Sequence, residues 1–207
     1  MLPPDFLRGT IASESLTMIM TTKTKTQFGA NVMHRLSNRG FSLIELLVVV
    51  AIILIIAAIA IPNLLNSRMA ANGAAAAENV RTITTAAMAY SSTYGNGFPA
   101  TLAVLGGPSG GASTCDAAIL LDPILTTAPY QKSGYTFAYA AVGATVIAPA
   151  GCSQPGSNAY LVTATPITVK LTGVDSYCTD EPGTIHYDTS GATATTQSAC
   201  EALPTLQ

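Results

Sequence analysis

Glu45 is the one charged residue between Phe41 and Ile61, a run of 21 residues that is otherwise apolar apart from Ser42. An acid at membrane depth costs about 2.5–3.5 kcal/mol on insertion scales, so it ordinarily serves function or assembly and has a partner. No Lys, Arg or His lies within the run to neutralise it. Cleavage between Gly40 and Phe41 would supply one, because the new α-amine would appear one helical turn ahead of Glu45. That amine could pair with the carboxylate of the same or a neighbouring subunit, in a low dielectric where the attraction is strong and directional. The competing interpretation is an acid near the interface that snorkels to water.

Other residues of chemical interest carry weaker patterns. Gly107-Pro108-Ser109-Gly110-Gly111 has the G-x-S-x-G spacing of a nucleophile elbow. No strand precedes it and no helix follows at once, and a triad would have to recruit His186, the sole histidine after the apolar run. A flexible Gly-rich loop is expected there, and His186 is expected as a strand residue without a ligand. Asp175, Asp180 and Glu181 gather near Gly173 and Gly183. Carboxylates so placed can bind Ca²⁺, but the loose spacing favours solvated turn residues. Cys115, Cys152, Cys178 and Cys200 all follow the apolar run. An even count on an exported domain reads as two disulfides, whereas zinc lacks a CxxC pair. Three pairings exist and the spacing does not choose among them; sequential pairing, Cys115–Cys152 with Cys178–Cys200, closes modest loops. No metal, cofactor or catalytic residue is expected, and the chain reads as a non-enzyme.

The element that must position Glu45 is a helix in lipid. Twenty-one residues at 1.5 Å rise are long enough for a hydrocarbon core about 30 Å thick. Arg35 and Arg39 lie just upstream with no acid nearby, which leaves that end in the cytoplasm and the remainder outside. Residues 1–40 hold five basic and two acidic side chains (+3), and residues 41–207 hold four basic and nine acidic ones (−5). Nothing after residue 40 resembles a phosphate-binding patch, so no nucleic-acid partner is expected.

Arg39-Gly40-Phe41-Ser42-Leu43-Ile44-Glu45-Leu46 resembles the processing site of type IV prepilins and type II secretion pseudopilins. The resemblance implies that a prepilin peptidase cuts after Gly40 and methylates the Phe41 amine, and that Glu45 compensates this amine in a neighbouring subunit. Pro62 falls where many such pilins carry a helix-kinking proline. The resemblance is strong from about Arg39 to Tyr94. It further implies a homopolymer, an assembly machinery with its own ATPase, an inner-membrane precursor and an extracellular pilus filament. Major pseudopilins of the group hold calcium in a head loop. The first 32 residues are long for a leader of this kind, and Met33 is a plausible start; either way residues 1–40 are expected to be removed. An ordinary secretory signal cut near Ala58-Ile59-Ala60 is the rival, but the apolar stretch is too long and contains Glu45, and Pro62 lies close behind that cut.

Beyond Pro62 the sequence turns Ala-rich, and Val80, Ile83, Ala87, Met88 and Tyr94 recur at helical spacing. Gly95-Asn96-Gly97 supplies a stop. A helix over 41–94, about 80 Å long, is expected, with a break or kink between Asn63 and Gly73 at Pro62 and Gly73. Short strands are expected at 135–139, 160–165 and 184–188, separated by Pro- and Gly-rich turns. Three or four antiparallel strands packed on the outer half of the helix make an α+β head over 95–207, which resembles the pilin fold. The 178–200 loop is expected at its variable, outward-facing edge. Two other functions stay open: a major pseudopilin of type II secretion, and a monomeric membrane-anchored binding protein.

Overall fold

The computed structural model describes residues 40–108 and 110–206. The apolar run and the Ala-rich stretch form one helix, α1, Leu43–Tyr94. Its 52 residues make a rod about 78 Å long. Gly95, at φ +61°, ends it in the left-handed conformation and donates its N–H to the Ser91 carbonyl at 3.0 Å. Glycine at that position carries no Cβ penalty, which is why helices so often stop this way.

The break expected between Asn63 and Gly73 is absent, because α1 passes through Pro62 and Gly73 as continuous helix. Proline removes one N–H from the ladder and crowds one carbonyl. That defect is local, and good helix formers on both sides propagate past it. Gly73 has a packing role instead: a Cβ there would lie 2.9 Å from the Tyr177 hydroxyl and 3.6 Å from that of Tyr135. The missing side chain admits two tyrosines against the helix.

The head is an antiparallel meander with two short helices. After a 3-10 turn at Leu102–Leu105 come α2 (Pro123–Thr126), β1 (Gln131–Lys132), β2 (Tyr135–Val146), β3 (Gly156–Pro166), β4 (Ser176–Thr179), β5 (His186–Asp188) and α3 (Gln197–Glu201). The sheet runs β1-β2-β3-β4-β5, each strand beside its sequence neighbour. Period-two alternation directs Tyr135 and Phe137 of β2, and Tyr160, Val162 and Ala164 of β3, into the main core. They meet Ala76, Val80, Ile83, Ala87 and Tyr90, one face of α1 at helical spacing. On the opposite face of β3, Leu161 packs with Cys178, Cys200 and Leu203 in a second small cluster.

The expected strands 135–139 and 160–165 run longer, as β2 and β3, while 184–188 shortens to β5. β2 continues to Val146, with a register shift between Val142 and Thr145 where Gly143 adopts φ +77°. β4 was not foreseen: its four residues are all buried, so no alternation marks it, and Asp175 and Asp180 flank it like a turn.

The exit of α1 is fastened to β3 by Asn96, which is 1% exposed. Its amide donates to Gln154 O at 3.0 Å, and its Oδ1 accepts from Gly156 N at 3.1 Å. A Cβ on Gly156 would fall 1.6 Å from the Asn96 carbonyl oxygen, a backbone atom that cannot swing aside. Gly156→Ala is therefore expected to destabilise the head by about 3 kcal/mol or more. The check is its urea midpoint in detergent, compared with the parent.

Candidate assembly surface

Glu45 stands in the first turn of α1, where the helix N-terminus favours a negative charge. Gly40 and Phe41 precede the helix in non-helical, exposed backbone. Among the described residues the ion pairs are Arg81–Glu78 and Lys132–Asp122, and Glu45 has no cationic partner.

The apolar half of α1 touches nothing in the subunit. Its most apolar 18-residue window has none of its residues buried, and Leu46, Ile53, Ile56 and Ile59 all project outward. Among the described residues α1 is the one helix long and apolar enough to cross a membrane. A surface of this size cannot stay in water; lipid or other apolar helices must cover it. The second half of α1 is a structural wall of the head, with Gly73, Ala76, Ala77, Val80, Ile83, Ala87 and Tyr90 buried. One helix therefore joins an uncovered hydrophobic surface to a folded domain.

Disulfides brace the head at two places. Cys115–Cys152 ties the segment after α1 to the β2–β3 turn, and Cys178–Cys200 ties β4 to α3. His186 is a buried residue of β5 whose Nδ1 lies 2.7 Å from the Leu203 carbonyl, to which it donates. Ser109 of the G-x-S-x-G stretch lies outside the described residues.

The expectation of solvated turn carboxylates is corrected for Asp180 and Glu181. Asp180 follows β4 directly and is 1% exposed, with Oδ2 unpartnered. Glu181 is half-buried and accepts from Tyr160 N at 3.1 Å and from Gln197 Nε2 at 2.7 Å, joining β3 to α3. The main chain turns these acids inward because Asp180 O must accept from Gly183 N to close the turn, at 2.9 Å. Asp175 belongs elsewhere, its carbonyl accepting from the Tyr135 hydroxyl at 2.9 Å. Among the described residues no group of three or more His, Cys, Asp or Glu is placed to hold a metal.

Burial first, then the nearness of Glu201 and the charges of Glu181 and Glu201, pushes the Asp180 carboxyl above the usual aspartate range. Buried tyrosines shift likewise: burial and neighbouring acids push Tyr160 up to about 12.

A family model described as the prokaryotic N-terminal methylation motif matches residues 35–61. This is the type IV pilin and pseudopilin signature, and the chain carries it on an α+β architecture consistent with the pilin fold. Neither curated proteins nor solved structures yield a match. The family is structural rather than enzymatic, and its motif implies peptidase processing and assembly.

A carboxyl whose folded pKa is raised binds its proton more tightly in the folded head than in the unfolded chain. The head therefore gains stability as pH falls from the raised value toward the ordinary aspartate value, and loses it in the other direction. Asp180→Asn, which has no proton to lose, is expected to flatten that slope and stabilise the head by about 1 kcal/mol at neutral pH. Urea midpoints across mildly acidic to neutral pH check both effects.

Proposed function

We propose that the chain is the structural subunit of an extracellular type IV pilus that polymerises through α1. The observation that carries this proposal is the uncovered apolar first half of α1 with one acid in its first turn, inside the matched methylation motif. In this mechanism residues 1–40 are a leader removed after Gly40, and the Phe41 amine is methylated. Residues 41–61 hold the precursor in the inner membrane, 41–94 form the stem, and 95–207 form the head. Stems then exchange lipid for one another, which covers the same apolar surface in the filament core. Glu45 selects register by pairing with the Phe41 amine of a neighbour, since an unpaired charge among packed stems is strongly disfavoured. Heads form the outer surface, and two exported disulfides suit that exposure. Pro62 and Gly73 are proposed as the place where the stem loosens on entering the filament. The peptidase, the assembly ATPase and the membrane platform do the chemical work.

Glu45→Ala is expected to insert normally but to abolish filaments, because insertion needs only hydrophobicity whereas register needs the charge pair. Normal filaments from this variant would remove the pairing mechanism. Mass spectrometry of the N-terminal peptide from sheared surface filaments should find N-methylated Phe41. The same peptide confined to washed membranes would point to a pseudopilus, and a chain beginning at Ile61 would point to a secreted domain.

A further inference from the structure

The loop between β3 and β4 exposes Ile167, Val169, Leu171 and Val174 together, with Leu171 54% exposed. Flexible loops often show apolar residues in passing, but this one is held in a single shape. Ile167 N donates to Gly134 O at 3.0 Å, Thr172 N to Thr168 O at 2.9 Å, and Lys170 N to Gly173 O at 2.7 Å. Lys170 adopts φ +64°, a left-handed conformation that a lysine takes only where its surroundings require it. Asn72 of α1 then pins the loop to the stem, its Nδ2 donating to Thr172 O at 2.8 Å. Apolar side chains are thus presented to the outside at a fixed height along α1.

That height is informative. Leu171 lines a concavity of about 290 Å³ together with Leu65 and Arg68. Leu65 is four residues past Ile61, about 6 Å along the helix, and a headgroup layer is about 5–7 Å deep on each side of the hydrocarbon. Leu171, the part of the loop beside Leu65, therefore stands level with the headgroups when 41–61 spans the core, while Arg68 and Asn72 lie about 10 and 16 Å past Ile61 and set the rest of the loop farther out. Charge agrees with position. Of the four basic residues after Phe41, Arg81 pairs with Glu78 and Lys132 with Asp122. Arg68 and Lys170, both exposed, form no ion pair among the described residues, and both flank this patch. Asp175, half-buried next to Val174, and half-buried Asp188, across from Ser176 on β5, are the acids near it. In a head that is otherwise acidic, the two free cations sit where apolar side chains meet the exit of the stem. Basic residues bordering an apolar surface are the pattern of interfacial binding to anionic lipid.

We propose that the 167–174 loop is a foot that rests the head of the unassembled subunit on an anionic bilayer surface. This rests on residues 41–61 being the membrane anchor of the precursor. Leu171 leads the foot into the headgroup layer toward the acyl boundary, while Arg68 and Lys170 meet the phosphates. The head is thereby held at one orientation about the stem before a neighbouring subunit replaces lipid.

The test places the full chain, at high lipid excess, in phosphatidylglycerol-containing vesicles with brominated acyl chains. A fluorophore is attached to an added cysteine in Leu54→Cys, Leu171→Cys or Ile147→Cys. Ile147 is the control, an exposed apolar residue just past the end of β2 that lies away from the foot. Strong quenching at 54 and 171 with little at 147 is the expected result. Quenching at 54 alone would overturn the foot, keep the anchor, and leave the patch to another copy of the chain. Equal quenching at 147 and 171 would overturn it in favour of a head lying indiscriminately on lipid. No quenching at any position would overturn the anchor and the foot together. Arg68→Gln with Lys170→Gln should lower the docked-to-undocked ratio at 171 at least about fivefold in anionic vesicles; an unchanged ratio would overturn the role of the two cations.

Discussion

The uncovered apolar surface of α1 governs everything else in this molecule. From Leu43 to Leu64 the large apolar side chains are exposed, so on the proposed function the chain has two places to be: in a bilayer, or against other stems. The hydrophobic effect drives both states and distinguishes poorly between them, since lipid tails are as apolar as leucine. A non-directional force cannot set register. On the proposed mechanism the single carboxylate at the helix start does so, and its value lies in being alone. A second acid would offer a second register, and a basic residue within the run would satisfy Glu45 inside its own subunit.

The head keeps that surface uncovered by making its core from the other half of the same helix. Gly73 marks the boundary. N-terminal to it α1 shows side chains to the outside; from Gly73 onward small residues admit Tyr135, Tyr177, Val162 and Tyr160. Asn96 then locks the helix exit to β3 through both its amide and its carbonyl oxygen. Rigid continuity between stem and head means that the orientation of either one is transmitted to the other.

Much of this was legible in the sequence because the signals were long. The apolar run, the Ala-rich stripe and the Gly95-Asn96-Gly97 stop extend over many residues, and α1 follows them. Strand residues 135–139 announced themselves through alternation, and 160–165 as a run bounded by turn signals. Features carried by single contacts did not. Gly73 looked like a helix weakness because propensity is a property of the residue, whereas its role depends on tyrosines about 60 and 100 positions away. β4 is four residues long and buried on both faces, so its pattern could not be told from a turn between acids. Asp180 looked solvated for the same reason, as its burial depends on the tertiary fold around the end of β4. The matched motif ends at residue 61, so the head is understood from its own geometry.

The simplicity of the sheet has a consequence for biogenesis. Each strand pairs with the one just made, and both disulfides join cysteines that are consecutive in the chain. No segment has to thread past another, and most pairings close short loops, a topology associated with fast folding. If 41–61 spans the membrane as proposed, the head can accordingly be built from its N-terminal side onward as it emerges, with α1 already in place as a template. Neither disulfide encloses a cysteine of the other, so an oxidant can close them in either order and each one locks a finished piece of structure.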